Sequence, residues 1–469
     1  MNKKYKLLAT NTTVFAIGNI LVKLISFFLM PIYTSVLTTA QYGVAELLNN
    51  TVEIVLPIAT LCIVEALYRF AIDVGADQKT LFVNSFGIII IGDIIVGIGC
   101  VLWFYVFDYQ YALYFFVLYV ATTFYKVTTQ FARGLGHIKR YVLYGVLNSL
   151  LLVGANTVLL VLLHGGVASY LMAFVFGYGI SGCIALICSK EYAFIDIKKI
   201  SVVKLKEMLK YSLPSIPNML SWWVNSLSDR YIVLYFLGAS VAGLYTAASK
   251  LPAIMNLITS IFQQAWQYST TVEMDSEGSK EFFSNVFRVY SYYCIVICSV
   301  LVLANKIICK VMLQSEFYEA WRFVPLLLLA AAFGGIATYF GTFYNALKNN
   351  TMLMVSTLMG AVGNVILNLT LIPTLGGMGA AIATAISYCM VMVIRMINIR
   401  KYVELSIDVK RFIFQIVLLF IAAVFGCFYG RATIIVTFIV FAVTVLSDLK
   451  VLKNSIGMIA KLLRKILGK

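Results

Sequence analysis

Residues 81–106 read LFVNSFGIIIIGDIIVGIGCVLWFYV, twenty-six residues with a single charge, Asp93. A helix crosses the hydrocarbon core of a bilayer with about twenty mainly apolar residues. A helix at the surface of a soluble protein needs a polar face, which this stretch lacks. Working outward, runs of the same kind fall at 12–33, 43–67, 110–131, 141–163, 167–189, 212–237, 243–269, 283–305, 322–346, 352–372, 378–399, 410–428 and 431–448. The reading is an all-α polytopic membrane protein with about fourteen transmembrane helices. Composition agrees: 61% of residues are hydrophobic and 12% charged, against about 25% charged in soluble domains.

The chain carries a formal charge of +16. In a soluble protein that excess would suggest nucleic acid. Here the cations lie between apolar runs, so topology explains them and no nucleic-acid partner is expected. With the N-terminus in the cytoplasm, inner segments hold 27 of the 36 Lys and Arg residues, and outer loops hold only Lys306, Lys310, Arg322 and Arg431. Both termini are then cytoplasmic, in a bacterial-type cell membrane. Met1–Leu8, with three lysines, reads as the start of a retained first helix. Arg288 and Arg395 read as topology anchors at inner span ends. The nine cysteines sit mostly in apolar stretches and read as small hydrophobes. No metal-ligand spacing appears.

The stretch Leu37–Gly43 lies 200 residues before Leu237–Gly243, and Gly165–Ser169 recurs as Gly376–Ala380. Each pair occupies the same place in a six-span half, so the halves are parallel repeats. The expected division is a six-helix lobe over 1–190, a cytoplasmic amphipathic linker over 191–211 and a second lobe over 212–400. Accessory helices 13 and 14 over 401–448 and a basic amphipathic tail over 449–469 complete it.

Inside lipid, a charged or amide side chain faces protein or water. Polar stripes at helical spacing therefore mark a wet surface. The first span carries Asn19 and Lys23, and the second carries Glu46, Asn50 and Glu53. The seventh carries Asn225 and Asp229 with Arg230 beside it. The eighth carries Lys250, Asn256, Ser260, Gln263 and Gln267. These are the first two spans of each half. Lys126 adds a cation in the fourth span, and Asp93 an acid in the third. Glu53 is an available counterion for Lys23 or Arg230. Prolines at 31, 57, 214, 217 and 252 permit bends.

Three patterns carry a resemblance: Asn11-Thr-x5-Gly18-Asn19, Tyr42-Gly43-Val44, and Gly377-Met-Gly-Ala-Ala-Ile-Ala-Thr384. With the span count, they make the chain similar to the polysaccharide flippase branch of the multidrug/oligosaccharidyl-lipid/polysaccharide exporter superfamily. The resemblance implies two six-helix lobes in a V around a central cavity. It also implies movement of polyprenyl-pyrophosphate-linked oligosaccharide to the outer face, with polymerases and glycosyltransferases as pathway partners. Lys23, Arg230, Lys250 and Lys126 would offset the pyrophosphate, with Asn19, Glu53, Asn225, Asn256 and Gln263 around the cargo. The related lipid II flippases carry a sodium site. Its counterpart here would be Asn364, Asn368 and Thr384, with Asp229 or Asn225. The second position is Asn rather than Asp, which lowers the site's negative charge. Coupling to Na+, or to H+ through Asp93, is the corresponding expectation, with no other cofactor. Competing readings are a drug or cation antiporter of the same superfamily, a lipid II flippase, a membrane polymerase and a scaffold. The short outer loops disfavour the polymerase, and the polar stripes disfavour the scaffold.

Overall fold

The computed structural model describes residues 18, 21, 22, 25, 27–73, 75–274, 276–347 and 350–453. Among them the regular structure is helical throughout. Ten helices are long and apolar enough to cross a bilayer, or eleven if one bent pair counts as a single span. Two shorter apolar helices add to these. The expected span 12–33 lies largely outside the described residues, as does the expected tail helix beyond residue 453.

The chain forms two compact units. The first comprises residues 1–231 and 238–243, the second 232–237 and 244–469. In the first, α1 (Met30–Val36) leads into α2 (Thr39–Ala59). Thr38 starts α2 with a capping box, its hydroxyl accepting from the Gln41 N–H while the Gln41 side chain accepts from the Thr38 N–H. Proline at 57 and left-handed backbone at Leu61 and Cys62 then turn the chain by 68° into α3 (Ile63–Ala71). The long spans α4 (Gln78–Phe107), α5 (Ala112–Gly134), α6 (Ile138–Asn156) and α7 (Gly166–Cys188) follow. Helix α7 packs on both α5 and α6.

The stretch 191–211 folds as two short 3-10 turns and α8 (Val202–Ser212). It is held to the unit by Asn84, whose amide donates to the Ser201 carbonyl at 3.0 Å and accepts from the Ser201 N–H at 3.2 Å. Met208 buries its side chain completely in a cluster with Phe82, Val127 and Phe131. Glu191 is also fully buried. Among the described residues neither of its carboxylate oxygens has a hydrogen-bond partner, and burial pushes the carboxyl up to about 9.

Helix α9 (Ser215–Ala248) breaks its helical dihedrals at Gly238, where φ is 82°. Only glycine takes that conformation at little cost, and the break falls at the expected boundary between spans seven and eight. A turn over residues 249–252, ending in Pro252, separates α9 from α10 (Ala253–Glu273). Then come α11 (Ser279–Met312), α12 (Val324–Ala346), α13 (Asn350–Leu375), α14 (Gly377–Ile399), α15 (Val409–Gly426) and α16 (Arg431–Leu446). Helix α12 is the hub of the second unit, buried over most of its length and packed on α10, α11, α13, α14 and α15. The α15–α16 hairpin docks one side on α11 and leaves Phe414, Val417, Ile435 and Phe438 exposed, as a lipid-facing hairpin would.

Arg395 corrects an expectation. It does not anchor a span end at the surface but is 8% exposed. It donates from Nε to Ser356 Oγ at 3.0 Å, from one terminal nitrogen to the Ala337 carbonyl at 3.2 Å, and from the other to Thr357 Oγ1 at 2.9 Å. It thus staples α12, α13 and α14 without a carboxylate. The rigid fork of five donors makes arginine the side chain for this task. Arg288 is likewise more than an anchor. It forks onto Asp448 at 2.7 and 2.8 Å, and Arg411 reaches the same carboxylate at 2.8 Å.

Candidate functional site

In the first unit the polar residues of α2 divide between two faces. Glu46, 3% exposed, turns inward and accepts hydrogen bonds from Tyr170 at 2.7 Å and Tyr42 at 3.3 Å. The Tyr33 ring lies 4.9 Å from that of Tyr170. This tyrosine-lined acid was visible in sequence only as one member of a polar stripe. Glu53, two turns further along, points outward and pairs with Lys126 of α5 at 3.1 Å. Both keep substantial exposure, 53% for the Glu53 side chain and 33% for Lys126. The carboxylate considered for Lys23 or Arg230 is thus engaged by Lys126. Asp93 on α4 accepts from Thr123 at 3.2 Å, a helix-packing bond.

The first part of α9 lies against α2. The Trp223 indole N–H donates to the Asn50 carbonyl at 3.2 Å, and the Tyr231 hydroxyl contacts Thr51 Oγ1 at 2.9 Å. Asp229 caps the backbone N–H of Arg230 at 2.9 Å, and both side chains are half-buried. Lys250 is half-buried in the turn before α10. Asn19 and Lys23 lie outside the described residues, and so does the side chain of Asn225.

Helix α10 has two contrasting faces. One buries Met255, Thr259, Trp266 and Thr270. Trp266 stacks on Tyr339 with centroids 4.9 Å apart and donates to the Tyr339 carbonyl at 3.3 Å. Such a pair contributes about 0.5–1.5 kcal/mol beyond its buried area. That anchor fixes the helix's rotation. The neighbouring face then carries Asn256 and Gln267, both exposed, with Ser260 and Gln263 half-buried. Asn256 and Gln267 stay exposed at the two ends of this stripe.

A second cluster gathers where α13 and α14 meet. The Asn368 amide donates to Asn364 Oδ1 at 2.9 Å, and the Asn364 amide to Thr384 Oγ1 at 3.5 Å. The Tyr245 hydroxyl stands 3.3 Å from Thr384 Oγ1. Asn368 is completely buried, and its Oδ1 has no partner among the described residues. The three residues expected to act together are therefore neighbours. Asp229, offered as a fourth, belongs to the first unit. The cluster supplies neutral oxygens, one of them orphaned, which is the donor chemistry of a weakly bound hard monovalent cation. Among the described residues no three His, Cys, Asp or Glu side chains gather as metal ligands.

The family profile of polysaccharide biosynthesis proteins matches residues 8–267. The chain belongs to that family. A probable low-salt glycan biosynthesis flippase, Agl15 of Haloferax volcanii, is 26% identical over 219 residues, covering 45% of each chain. The match thus spans under half the length of that relative. Among solved structures, a lipid II flippase MurJ in an inward closed conformation superposes with a TM-score of 0.73 over 94% of this chain and 100% of its own, at 11% identity. An inward-facing multidrug resistance MATE family transporter superposes with a TM-score of 0.61 over 82% of this chain and 98% of its own, at 16% identity. These likenesses establish the fold, that of the MurJ and MATE transporters.

Proposed function

We propose that this chain flips a polyprenyl-pyrophosphate-linked oligosaccharide from the cytoplasmic to the outer leaflet by alternating access, for cell-surface polysaccharide synthesis. The supporting observation is the polar stripe of α10, with Asn256 and Gln267 exposed and Ser260 and Gln263 half-buried between them. Amides turned toward acyl chains are costly, so Asn256, Ser260, Gln263 and Gln267 face water and cargo. Amides and hydroxyls suit sugar hydroxyls. The half-exposed Lys126, together with Arg230, Lys250 and Lys23, offsets the pyrophosphate charge as it leaves the headgroup region. Family membership and the glycan flippase relative point to the same cargo class.

The Asn364, Asn368 and Thr384 cluster would hold Na+, whose binding would couple the cycle to a sodium gradient across the membrane. Asp93 is the alternative site for H+. The reading places the chain in a bacterial-type cell membrane, and the distribution of Lys and Arg supports an orientation with both termini inside. Polymerases and glycosyltransferases of the same pathway are the expected partners.

Proteoliposomes containing a fluorescent polyprenyl-pyrophosphate disaccharide test this. Protein should accelerate exposure of the sugar to an external glycosidase at least tenfold over empty liposomes, and Asn256→Leu with Gln263→Leu should abolish the gain. Equal rates with and without protein would sink the proposal. Asn368→Leu should remove any sodium dependence. Full sodium dependence in that variant would relocate the ion.

A further inference from the structure

The stretch 190–211 follows the last residue of α7 and lies against the first turns of α4. Three ties set that level. Lys79 Nζ stands 4.0 Å from the Asp196 carboxylate, Lys199 Nζ stands 3.6 Å from that of Asp77, and Asn84 holds the N–H and the carbonyl of Ser201. The stretch therefore sits where two spans leave the hydrocarbon. Helix α8 docks by one face: Leu205, Met208 and Leu209 join the buried cluster of the first unit, and Ser212 Oγ donates to the Leu61 carbonyl at 2.8 Å. Val203, Lys206 and Lys210 share the opposite face by helical spacing. Tyr192, Ile195, Ile197, Ile200, Val202 and Val203 are all exposed, Val203 at 81%. So many large apolar side chains in one short stretch make a poor surface for water.

The charges of this surface do not cancel, because its acids are already engaged. Asp77 faces Lys199 and Asp196 faces Lys79. Glu207 accepts from Lys204 at 2.8 Å, and Asp73 of the adjoining α3 accepts from Arg69 at 2.6 Å. Glu191 is fully buried and neutral at pH 7, since burial pushes its carboxyl up to about 9. Lys190, Lys198, Lys206 and Lys210 are exposed, and among the described residues none of them enters an ion pair. Setting the exposed Glu65 of α3 against these four lysines still leaves a surplus of three positive charges. The apolar side chains also continue the lipid-facing surface of the two spans. Ile187 at the end of α7 is 62% exposed, and Ile90, Ile91 and Ile94 of α4 are exposed as well. Lysine stems can lie along such a surface with the ammonium at headgroup level.

We propose that the stretch 190–211 is a lipid-binding surface, with Ile195, Ile197, Ile200 and Val203 sunk into the edge of the leaflet beside α4 and α7, and Lys198, Lys206 and Lys210 selecting acidic phospholipid there. By the charge distribution that leaflet is the cytoplasmic one. Apolar burial holds the stretch at the interface, and the unmatched lysines supply the preference for anionic headgroups. The surface lies on the first unit, apart from the α10 amides, and the proposal does not depend on what the protein transports.

The test is quenching of a bimane label on Val203→Cys in full-length protein, with the native cysteines replaced, reconstituted in mixed phosphatidylglycerol and phosphatidylcholine liposomes. Brominated phosphatidylglycerol should quench the label about fivefold more effectively than brominated phosphatidylcholine at equal mole fraction, the worth of a single lysine near an anionic surface. Combining Lys198→Glu, Lys206→Glu and Lys210→Glu should abolish that preference while quenching by brominated phosphatidylcholine persists. All three lysines are exposed and lie off the docked face of α8. If the triple variant does not fold, the comparison of the two lipids in the lysine-intact protein decides alone. Equal quenching by both lipids, or a preference that survives the triple variant, would overturn the proposal. So would a label that iodide quenches and neither brominated lipid does, because the surface would then face water or a soluble partner.

Discussion

Gly243→Ala should disturb the contact that α2 makes with the segment after Gly238. An added Cβ at Gly243 would collide with the carbonyl oxygen of Thr39. It would also lie 2.9 Å from the Thr39 carbonyl carbon and 3.0 Å from the Gly43 nitrogen. Ordinary carbon contacts begin near ~3.5 Å, so the backbones must part by roughly 0.6 Å for the carbon alone, and further for the oxygen. The obstacles are main-chain atoms, which cannot rotate aside. Overpacking of this kind costs about 1–3 kcal/mol, equivalent to a shift of about 5–150-fold in a two-state equilibrium. Gly43 and Gly243 hold equivalent places in the internal repeat. If the crossing closes in one state of the cycle and parts in another, the alanine biases the protein toward the parted state. Thr39 Oγ1 and Ser240 Oγ lie 2.7 Å apart, so Thr39→Cys with Ser240→Cys reports closure through disulfide yield. That yield should fall at least fivefold when Gly243→Ala is added. Unchanged yield and unchanged translocation together would refute the reasoning.

Three further outcomes follow from single side chains. Glu191→Gln should change how stability varies with pH. Burial raises the folded carboxyl to about 9 from the usual ~4.3, so folding takes up a proton and wild type loses stability as pH rises through that window, by about 4 kcal/mol at most near pH 7.5. The glutamine variant lacks this slope, so its unfolding temperature should gain on wild type between pH 5 and pH 8, and parallel curves would refute the assignment. Arg395→Met should lower stability by about 2–4 kcal/mol in thermal unfolding, with Arg395→Lys recovering little because it cannot fork to three acceptors; a wild-type midpoint for the methionine variant would contradict the staple. Lys126→Ala should move stability by less than about 1 kcal/mol, since its pair with Glu53 is solvent-exposed, yet slow translocation at least tenfold, and wild-type flux would remove Lys126 from the cargo path.

The spans were legible because lipid demands about twenty apolar residues in a row, a signal that needs no tertiary information. The bend after Pro57 and the interruption at Pro252 were legible for a local reason, a missing backbone donor. The Asn364, Asn368 and Thr384 neighbourhood was legible only through the resemblance to the lipid II flippases, which supplied the spacing to look for. What escaped depends on partners distant in sequence. Arg395 reads as a span-end cation until Ser356 and Thr357, on another helix, are seen to accept from it. The pairing of Glu53 with Lys126 joins residues 73 apart, and stripe periodicity gives no preference among nearby cations. Glu46 could be placed on a polar face, but its burial depends on Tyr170 from the seventh described helix. The repeat aligned Gly43 with Gly243, yet only the structure brings the two backbones into contact.

Cysteine scanning of α10 tests the central claim most directly. In a chain with the nine native cysteines replaced, single cysteines at positions 256, 263 and 267 should react with a membrane-impermeant maleimide in membrane vesicles. Cysteines at positions 255 and 266, on the packed face, should not. Added lipid-linked oligosaccharide should protect the first set. If the amide face proves as unreactive as the packed face in vesicles of both orientations, α10 borders no aqueous path and the flippase account fails.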